Sequence, residues 1–465
     1  MAILPQPELF SWNQVDAASD MDRLHMVLGA IPDEALMCAL EASRKGRRDD
    51  YPVRAVWNSI LAGVVFEHVS VESLRRELSR NAQLREACGF DLYRGAKAVP
   101  PSWVYTRFLS KLMDCQKQID AMFDELVETL RTLLPGLGTR MAIDSKAIES
   151  HGNPGKKKDD NEKDQEEQKK EADGRRDSDA DWGVKTYRGQ RKDGSAWEKV
   201  KSWFGYKLHL IVDSDYELPV AYKVTQASVS DCTELLPLVD QLDQRHPGFL
   251  TGTDFMSADK GYDSTENNRD LWDLYGVKPI VDIRGTWKED PELPRPLFPE
   301  KVDTVFHTED GRVMCRNLDG GLREQDNYTP MVFEGFEADR ECLKYRCPAA
   351  AKGVDCTQRD LCNGGCHTDH GRIVRIPLDT NRRTFTPQAR DSNTWDREYK
   401  HRSAVERVNS RIAGSFGFER HFIRGIKKMR ARTGLALVVM LAVAVGRIRA
   451  NQSERIRSLV TPAAA

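Results

Sequence analysis

The chain has 465 residues, of which 40% are hydrophobic and 31% are charged, and its formal net charge is −2. This length predicts two or three domains, and the composition excludes a wholly disordered chain. The N-terminal residues lack a basic region followed by an apolar run, and the longest apolar stretch, Gly434 to Val445, is too short to span a bilayer. Ten cysteines without an export signal predict reduced thiols or metal ligands in a cytoplasmic protein that has no membrane partner.

The first part of the chain has a helical pattern. Residues from about 54 to 134 carry apolar side chains at helical spacing, which predicts an all-helical N-terminal domain over residues 1–135. Ser70 is placed to cap the helix that begins VESLRREL. Pro100 and Pro101 separate these helices from a long amphipathic helix that leads into a second domain.

The next part has the short apolar runs of a sheet. The runs TRMAIDS, WFGYKLHLIVDS and LPVAYKVT predict three strands. A helix from Asp231 to about Gln244, a strand ending in FMSADKGY, a second helix and the strand KPIVDIR follow, so the order is βββαβαβ. We therefore predict an α/β domain with a mixed sheet flanked by helices, whose first part covers residues 136–284. The charged run over residues 155–181 has almost nothing to bury and predicts a disordered loop.

Residues 285–378 interrupt this pattern with a cysteine-rich insertion that holds six of the ten cysteines. So many thiols in a cytoplasmic protein favour a structural zinc site, because bound metal supplies folding energy that a polar segment with few aliphatic residues lacks. The alternative is a loosely ordered insertion with reduced thiols. The expected zinc ligands are Cys347, Cys356 and Cys362, with Cys315 or Cys342 as the fourth.

Helical patterns return in residues 379–450, which form the second part of the α/β domain, before a tail over residues 451–465. The apolar helix from about Ile426 to Ile448 should pack beneath the sheet. From Arg382 onward there are 18 Lys and Arg against 6 Asp and Glu, a net charge of +12, so the rest of the chain carries −14. This asymmetry indicates a polyanion partner, and a solvated basic face is the alternative.

Three acidic residues stand out by their positions. Asp144 ends the first predicted strand, Asp259 ends the fourth, and Glu406 lies in a helix whose apolar residues imply partial burial. Carboxylates at the ends of neighbouring strands, joined by one from a packed helix, can share two divalent ions. Each acid also has an ordinary interpretation, as a turn former, a helix cap or a surface acid paired with arginine. Their combination predicts phosphoryl transfer.

The surroundings of these acids resemble those of the bacterial insertion-sequence DDE transposases. The spacing Tyr399-x2-Arg402-x3-Glu406 is similar to that family's tyrosine, arginine and glutamate motif, and AIDSKAI around Asp144 and ADKGYDS around Asp259 are similar to the sequences around its aspartates. The N-terminal helices and GYKLHLIVD followed by QASVSDCTELLPLV are also similar to the family. The resemblance implies an RNase H-like catalytic fold, two Mg²⁺ or Mn²⁺ ions per active site and a DNA-binding N-terminal domain.

The same resemblance implies what the protein acts on. We expect it to bind the terminal inverted repeats of its own insertion sequence, to cleave at the element ends and to join the 3′ ends to target DNA. Its partner would be double-stranded DNA, bound by a homodimer at the bacterial nucleoid, with no small-molecule substrate. A catalytically inactive transposase-derived DNA-binding protein and an RNase H-fold nuclease or resolvase are the alternatives.

Several further residues are candidates for contacting DNA. By resemblance, Tyr399 and Arg402 would contact phosphate near the active site. The family's lysine seven residues after the glutamate is replaced by Ala413. The candidates for its role are Arg407, Arg411 and Asn409.

Three residues outside this helix are weaker candidates. Lys207 and His209 alternate on the second predicted strand and would face either the site or solvent. Trp182 follows the charged loop and could stack on an unpaired base near the cut. A structural role is the alternative for each of them.

Overall fold

A computed structural model describes the chain over residues 19–43, 50–152, 177–191, 195–288, 293–300, 303–316, 328–353, 362 and 371–457. These residues form a mixed α/β protein, as predicted, with one large hydrophobic core and a second, smaller one. Residues 153–176, which include most of the charged loop predicted over residues 155–181, lie outside the described residues, as does the end of the tail from residue 458.

The region before the sheet is helical, as its periodicity predicts. Its helices are α1 (Ser19–Ala30), α2 (Glu34–Ala42), α3 (Val53–Val65), α4 (Val71–Arg80), α5 (Ala82–Cys88), α6 (Ser102–Asp114) and α7 (Gln116–Leu133). The predicted cap of α4 is confirmed, because the Ser70 hydroxyl accepts the backbone N–H of Ser73 at 3.2 Å. Pro101 stands at the N-terminal boundary of α6, where a missing N–H is tolerated.

The central sheet has six strands. They are β1 (Arg140–Glu149), β2 (Asp181–Gln190), β3 (Ala196–Asp213), β4 (Leu218–Gln226), β5 (Phe255–Ala258) and β6 (Lys278–Val281). The strand order is β2, β3, β1, β5, β6, and β4 also pairs with β3. β3 is antiparallel to β1, β2 and β4, whereas β1, β5 and β6 run parallel.

Two helices connect these strands, α8 (Leu235–Arg245) between β4 and β5 and α9 (Thr265–Asp273) between β5 and β6. The predicted order βββαβαβ is confirmed for β1, β3, β4, β5 and β6 and the helices between them. β2 is an additional strand that the sequence did not predict.

The end of the predicted disordered loop is ordered, which corrects that prediction for residues 177–181. Asp177 is buried, and its carboxylate accepts the Tyr206 hydroxyl at 2.6 Å and the Gly425 N–H at 3.0 Å. These hydrogen bonds compensate the carboxylate for its lost hydration and lower its pKa against the effect of burial. The loop end is therefore fixed to the C-terminal part of the chain.

The predicted insertion forms two small antiparallel sheets beside a short helix. Its elements are β7 (Arg295–Pro296), β8 (Val305–His307), β9 (Val313–Arg316), β10 (Tyr328–Pro330), β11 (Val332–Glu337), β12 (Cys342–Arg346), α10 (Pro348–Lys352) and β13 (Ile373–Pro377). The strand orders are β10, β9, β8, β7 and β11, β12, β13. Buried side chains such as Val313, Tyr345 and Phe385 form the smaller core. Packing therefore supplies part of the folding energy that the sequence had assigned to metal.

Three helices complete the described chain, α11 (Asn393–Lys400), α12 (Ser403–Gly414) and α13 (Ile426–Arg449). By length and composition α13 could cross a membrane, but 83% of its apolar window is buried inside the protein. It packs against α1, α7 and β4, which confirms the predicted buried core helix. A continuous core thus joins the N-terminal helices to the sheet, across the domain boundary predicted at residue 135.

The basic C-terminal segment is not simply a basic surface. Arg390 is buried, and burial lowers its pKa to about 10. Arg383 forms an ion pair at 2.6 Å with Asp263, whose side chain is fully buried. Part of the +12 charge is therefore neutralised or buried inside the fold, and the charge count overstates the cationic surface open to a polyanion.

Candidate active site

Asp144 and Asp259 lie on neighbouring strands at the centre of the sheet. Ala142 of β1 pairs with Ser257 of β5, and continuing this parallel register by two residues brings Asp144 level with Asp259. Asp259 directly follows β5, as predicted. The prediction that Asp144 ends its strand is wrong. β1 continues to Glu149, because its backbone pairs with β3 that far.

The two carboxylates influence each other. Burial raises the pKa of Asp144 to about 6, and the neighbouring charge of Asp259 adds to this rise. Lys185 and Arg402 oppose it with their positive charges. The side-chain amide of Asn409 donates to the Asp144 carboxylate at 3.4 Å. A partly buried acid beside a second acid is a place where a bound cation stabilises the charged forms.

Glu406 lies at the edge of this site. Its helix is partly buried, as expected, but the Glu406 side chain itself is 53% exposed. Its carboxylate accepts a charged hydrogen bond from Arg402 at 2.8 Å. This is the surface ion pair that the sequence left open as the alternative. Among the described residues, no three Asp, Glu, His or Cys side chains are close enough to hold a metal ion together. Glu406 therefore does not join the two aspartates in this conformation.

Arg402 connects the parts of the site. Its guanidinium interacts with Tyr399, Glu406 and Asp144, and these negative or polar neighbours raise its pKa against the effect of burial. It lies 5.7 Å from the centre of the Tyr399 ring, which itself stacks on Trp395 with ring centres 4.8 Å apart. The tyrosine, arginine and glutamate of the motif thus lie together beside the aspartates.

Arg407 and Arg411 lie on the other side of α12. Both bind the carboxylate of Glu217, Arg407 at 2.7 Å and Arg411 at 3.1 Å, and the Glu217 side chain is only 7% exposed. The Arg411 side chain is 14% exposed and the Arg407 side chain is 52% exposed, and their role as phosphate ligands stays a prediction. Of the three candidates to replace the family's lysine, Asn409 is the one that contacts Asp144.

Lys207 and His209 are buried rather than open to DNA. The Lys207 ammonium donates to the Asp231 carboxylate at 2.9 Å and to the Val229 carbonyl at 2.7 Å. The His209 imidazole lies 2.9 Å from the Thr225 hydroxyl, and burial lowers its pKa to about 4, so it is neutral at pH 7. The Lys207 side chain is only 10% exposed and His209 is fully buried, and their contacts with DNA stay predictions.

Trp182 packs inside the β2–β3 pair. Its ring lies 5.7 Å from that of Phe204, the residue directly opposite on β3. It is half-buried, and its stacking on an unpaired base stays a prediction.

Four residues near the aspartates were missed from the sequence: Ser145, Lys185, Asp231 and Tyr262. Tyr262 is fully buried, and the carboxylates of Asp144, Asp231 and Asp259 help burial to raise its pKa well above the ordinary value. Ser145 lies beside both Tyr262 and Asp231. The motif ADKGYDS already contained Tyr262, whereas Lys185 had no signal because its strand was not predicted.

The cysteines of the insertion do not form one cluster in the described residues. Cys342 is the first residue of β12 and Cys347 directly follows that strand, so five residue steps of extended chain separate their Cα atoms by roughly 16 Å. They cannot share one ion, so Cys342 is excluded as a fourth ligand beside Cys347.

Cys347 and Cys362 do approach a common residue. The Cys347 N–H donates to the Arg372 carbonyl at 2.8 Å, and the Arg372 guanidinium lies 4.0 Å from the Cys362 sulfur. Cys315 lies in β9 and is partly buried, whereas Cys356 lies outside the described residues. A zinc site at Cys347 and Cys362 remains a prediction.

Comparison with known proteins gives two matches. The family model described as "Transposase DDE domain" matches residues 135–441, which include both aspartates and Glu406. A putative transposase for insertion sequence element IS402 from Burkholderia cepacia is 37% identical over 87 residues, 18% of this chain. The match spans only 39% of the length of that relative. No solved structure matches.

Proposed function

Because the chain belongs to the family of transposase DDE domains, we propose that it is a DNA transposase that binds the terminal inverted repeats of its insertion sequence. It cleaves at the element ends and joins the 3′ ends to target DNA. It acts on double-stranded DNA as a homodimer, because two ends must be cut together, and it does so in the cytoplasm at the nucleoid. No small-molecule substrate takes part.

The position of Asp144 beside Asp259 is the observation that carries this proposal. Two carboxylates at the centre of a sheet, with an arginine and a tyrosine next to them, suit the transfer of a phosphoryl group between oxygen atoms. The antiparallel strands β1, β3 and β4 followed by the parallel β5 and β6 support an RNase H-like fold for this part of the chain.

The donors of the site fit a pair of Mg²⁺ or Mn²⁺ ions. Asp144 and Asp259 offer the hard oxygen ligands that Mg²⁺ prefers. Burial and the charge of Asp259 raise the pKa of Asp144, and a bound cation would stabilise its ionised form. Glu406 would become the third ligand after its carboxylate releases Arg402. When bound, the ions supply activation of the attacking oxygen and stabilisation of the leaving oxygen.

The chain's own residues position the DNA. A guanidinium can donate to two phosphate oxygens at once, so Arg402, once released from Glu406, is suited to hold the phosphate that is cut. Stacking of Tyr399 on Trp395 keeps the aromatic support of Arg402 in place. Asn409 orients the Asp144 carboxylate through its amide.

The decisive experiment incubates the purified wild-type protein with Mg²⁺ and a DNA duplex that carries the flanking repeats of its own gene. We expect paired cuts at the two ends. Asp144→Asn or Asp259→Asn should abolish cutting while end binding persists, because each substitution removes a ligand charge and little contact area. The matched control is Asp254→Asn, which changes an exposed aspartate just before β5 and should cut at the wild-type rate.

Each other outcome supports a different function. Specific binding of the repeats by the wild-type protein without any cutting would favour a catalytically inactive DNA-binding protein. Mg²⁺-dependent cutting that ignores the repeats would favour a nuclease or resolvase. Substantial cutting by Asp144→Asn or Asp259→Asn would contradict the assigned site.

We also propose one structural zinc ion in the insertion, with Cys347 and Cys362 among its ligands. Their common approach to Arg372 supports this proposal. Protein purified without chelators should contain about one equivalent of zinc per chain. Less than about half an equivalent would leave the cysteines as reduced thiols.

A further inference from the structure

β2 and the first half of β3 form a two-stranded ribbon that extends beyond the sheet. β3 has 18 residues, but its pairing with β1 and β4 covers only residues 205–213. In the described part of the chain, residues 196–204 of β3 pair with β2 alone. Residues 195–202 are exposed along their whole length, so this ribbon is open to solvent in the monomer.

The two faces of the ribbon differ. In an antiparallel pair, directly opposed residues point to the same side. Lys185 lies opposite Lys201, and Lys199 lies two residues from Lys201, so these three lysines share one face. Trp197 belongs to the same face, where it covers Gly189 so closely that a Cβ there would lie 2.7 Å from the indole nitrogen. We call this side, with Lys185, Lys199, Lys201 and Trp197, the lysine face.

The opposite face of the ribbon has no charged side chain at the exposed, described positions that lie nearest the central sheet. Val184 and Val200 point to that side with 60% and 58% exposure, and Thr186 lies directly opposite Val200. Next to the sheet, the ribbon therefore has a basic side and an uncharged side, whereas farther out Glu198 lies on the same side as Val200.

The lysine face is continuous with the active site. Lys207 follows Lys201 by six positions on the same side of β3, and its ammonium donates to the Asp231 carboxylate at 2.9 Å. The charge of Lys185 also acts on Asp231 and Asp144. A row of lysines thus leads outward from the aspartates along the ribbon.

The charge distribution indicates an anionic partner. Residues 182–202 contain 6 Lys and Arg against 2 Asp and Glu, although the chain as a whole carries −2. Like charges directly opposite each other destabilise a strand pair, and Lys185 faces Lys201 in this way. A polyanion bound along the face would relieve this repulsion, and a two-stranded ribbon has a width that the major groove of B-DNA admits.

We propose that the lysine face is a DNA-binding arm that holds the duplex next to the phosphate being cut. This inference rests on the proposed function, because it names duplex DNA as the polyanion that enters the site. The arm contacts the phosphate backbone through Lys199 and Lys201 and therefore contributes affinity without base specificity.

The test measures binding of the full chain without divalent ions, so that it is independent of cutting. The probes are a duplex carrying the flanking repeat of the gene and a scrambled duplex of the same length, each titrated at several salt concentrations. In Lys199→Gln/Lys201→Gln, the slope of log affinity against log salt should fall by roughly 1.8 for both duplexes, since each lost lysine–phosphate contact accounts for about 0.9.

Two matched variants control for changes in the ribbon itself. Val184→Thr/Val200→Thr changes the opposite face of the same ribbon and should keep the wild-type slope. Lys199→Arg/Lys201→Arg keeps both charges and should also keep it. All four proteins should unfold at the same temperature, because the four substituted side chains are exposed.

The inference is overturned if Lys199→Gln/Lys201→Gln keeps the wild-type slope of log affinity against log salt. It is also overturned if the slope falls by the same amount in Val184→Thr/Val200→Thr. A change in sedimentation of the glutamine variant with an unchanged slope would instead assign the ribbon to contacts between protein chains. Failure of the proposed function would be seen separately, as absence of Mg²⁺-dependent cutting by a wild-type protein whose salt-dependent binding is intact.

Discussion

Arginines lie on both sides of α12, counting its N-cap Arg402, but they bind different partners. Arg402, Glu406, Asn409 and Ala413 are separated by four, three and four positions, so they share the side that faces Asp144. Arg407 and Arg411 lie on the other side, where both bind the buried Glu217. An arginine on the side that faces Asp144 is available to a substrate, whereas an arginine on the side that faces Glu217 stabilises the fold.

This comparison shows that residue type and local charge do not by themselves identify a phosphate ligand. Arg402 pairs with the exposed carboxylate of Glu406, and this pair can dissociate because surface ion pairs are weak. Arg411 pairs with the buried carboxylate of Glu217, and breaking that pair would remove one of the cations that compensate a buried charge. Four substitutions test the distinction, three on the site side and one on the other.

Glu406→Gln should have the largest effect. We expect DNA cutting to fall about a thousandfold or more, as for loss of a residue that acts directly in catalysis. The melting temperature should be unchanged, because the side chain is 53% exposed. The measurement is the rate of end cutting with Mg²⁺, with Ser410→Ala on the exposed surface of the same helix as the control. Wild-type cutting by Glu406→Gln would show that Glu406 is only the surface partner of Arg402.

Arg402→Gln should have the next largest effect. Loss of a donor that stabilises developing charge typically lowers a rate about a hundredfold to a thousandfold. Arg402→Lys keeps the charge but not the two-oxygen geometry, so it should recover only part of the rate. Complete recovery by lysine would mean that charge alone, and not a bidentate contact, is what the site requires.

Asn409→Ala should lower the cutting rate about tenfold, which is usual when a residue that orients a metal ligand is removed. Its amide donates to Asp144 at 3.4 Å, and its carbonyl oxygen is buried without a partner among the described residues. The expected signature is a higher Mg²⁺ concentration for half-maximal cutting. An unchanged Mg²⁺ dependence would indicate a packing role alone.

Arg411→Gln should leave cutting nearly unchanged and reduce stability instead. Glu217 would lose one partner and keep Arg407, so we expect a loss of about 1–3 kcal/mol in the free energy of unfolding. Arg407→Gln is the matched control, because the Arg407 side chain is 52% exposed and its loss should change stability by less than about 1 kcal/mol. A large loss of cutting by folded Arg411→Gln protein would place this arginine in the active site after all.

Much of the fold could be predicted from local patterns. The helices before the sheet, the strands β1, β3, β4, β5 and β6, and the buried α13 all follow from apolar spacing. The additional strand β2 could not be predicted in this way. It is polar and interrupted by Gly183 and Gly189, and it is stabilised by pairing with β3 rather than by burial of an apolar face.

The acidic residues of the candidate site could be predicted from the sequence, but the residues that surround them could not. Asp144, Asp259 and Glu406 were found from motif spacing, and the pairing of β1 with β5 makes the first two neighbours. The burial of Lys207 and His209 was missed because alternation along a strand predicts two faces without saying what covers each one. Here α8 and the turn before it, which contains Asp231, pack over the side of β3 that carries Lys207 and His209.

Periodicity and motif spacing are local properties of the chain, so they were enough to predict the order of elements, the family and the three candidate acids. Which charges remain available to a substrate depends on the folded structure. Whether an arginine binds phosphate or Glu217 depends on residues nearly two hundred positions away, as for Arg407 and Arg411. The physical reason is that burial removes the hydration of a charge, and only the folded neighbours determine whether a partner or water replaces it.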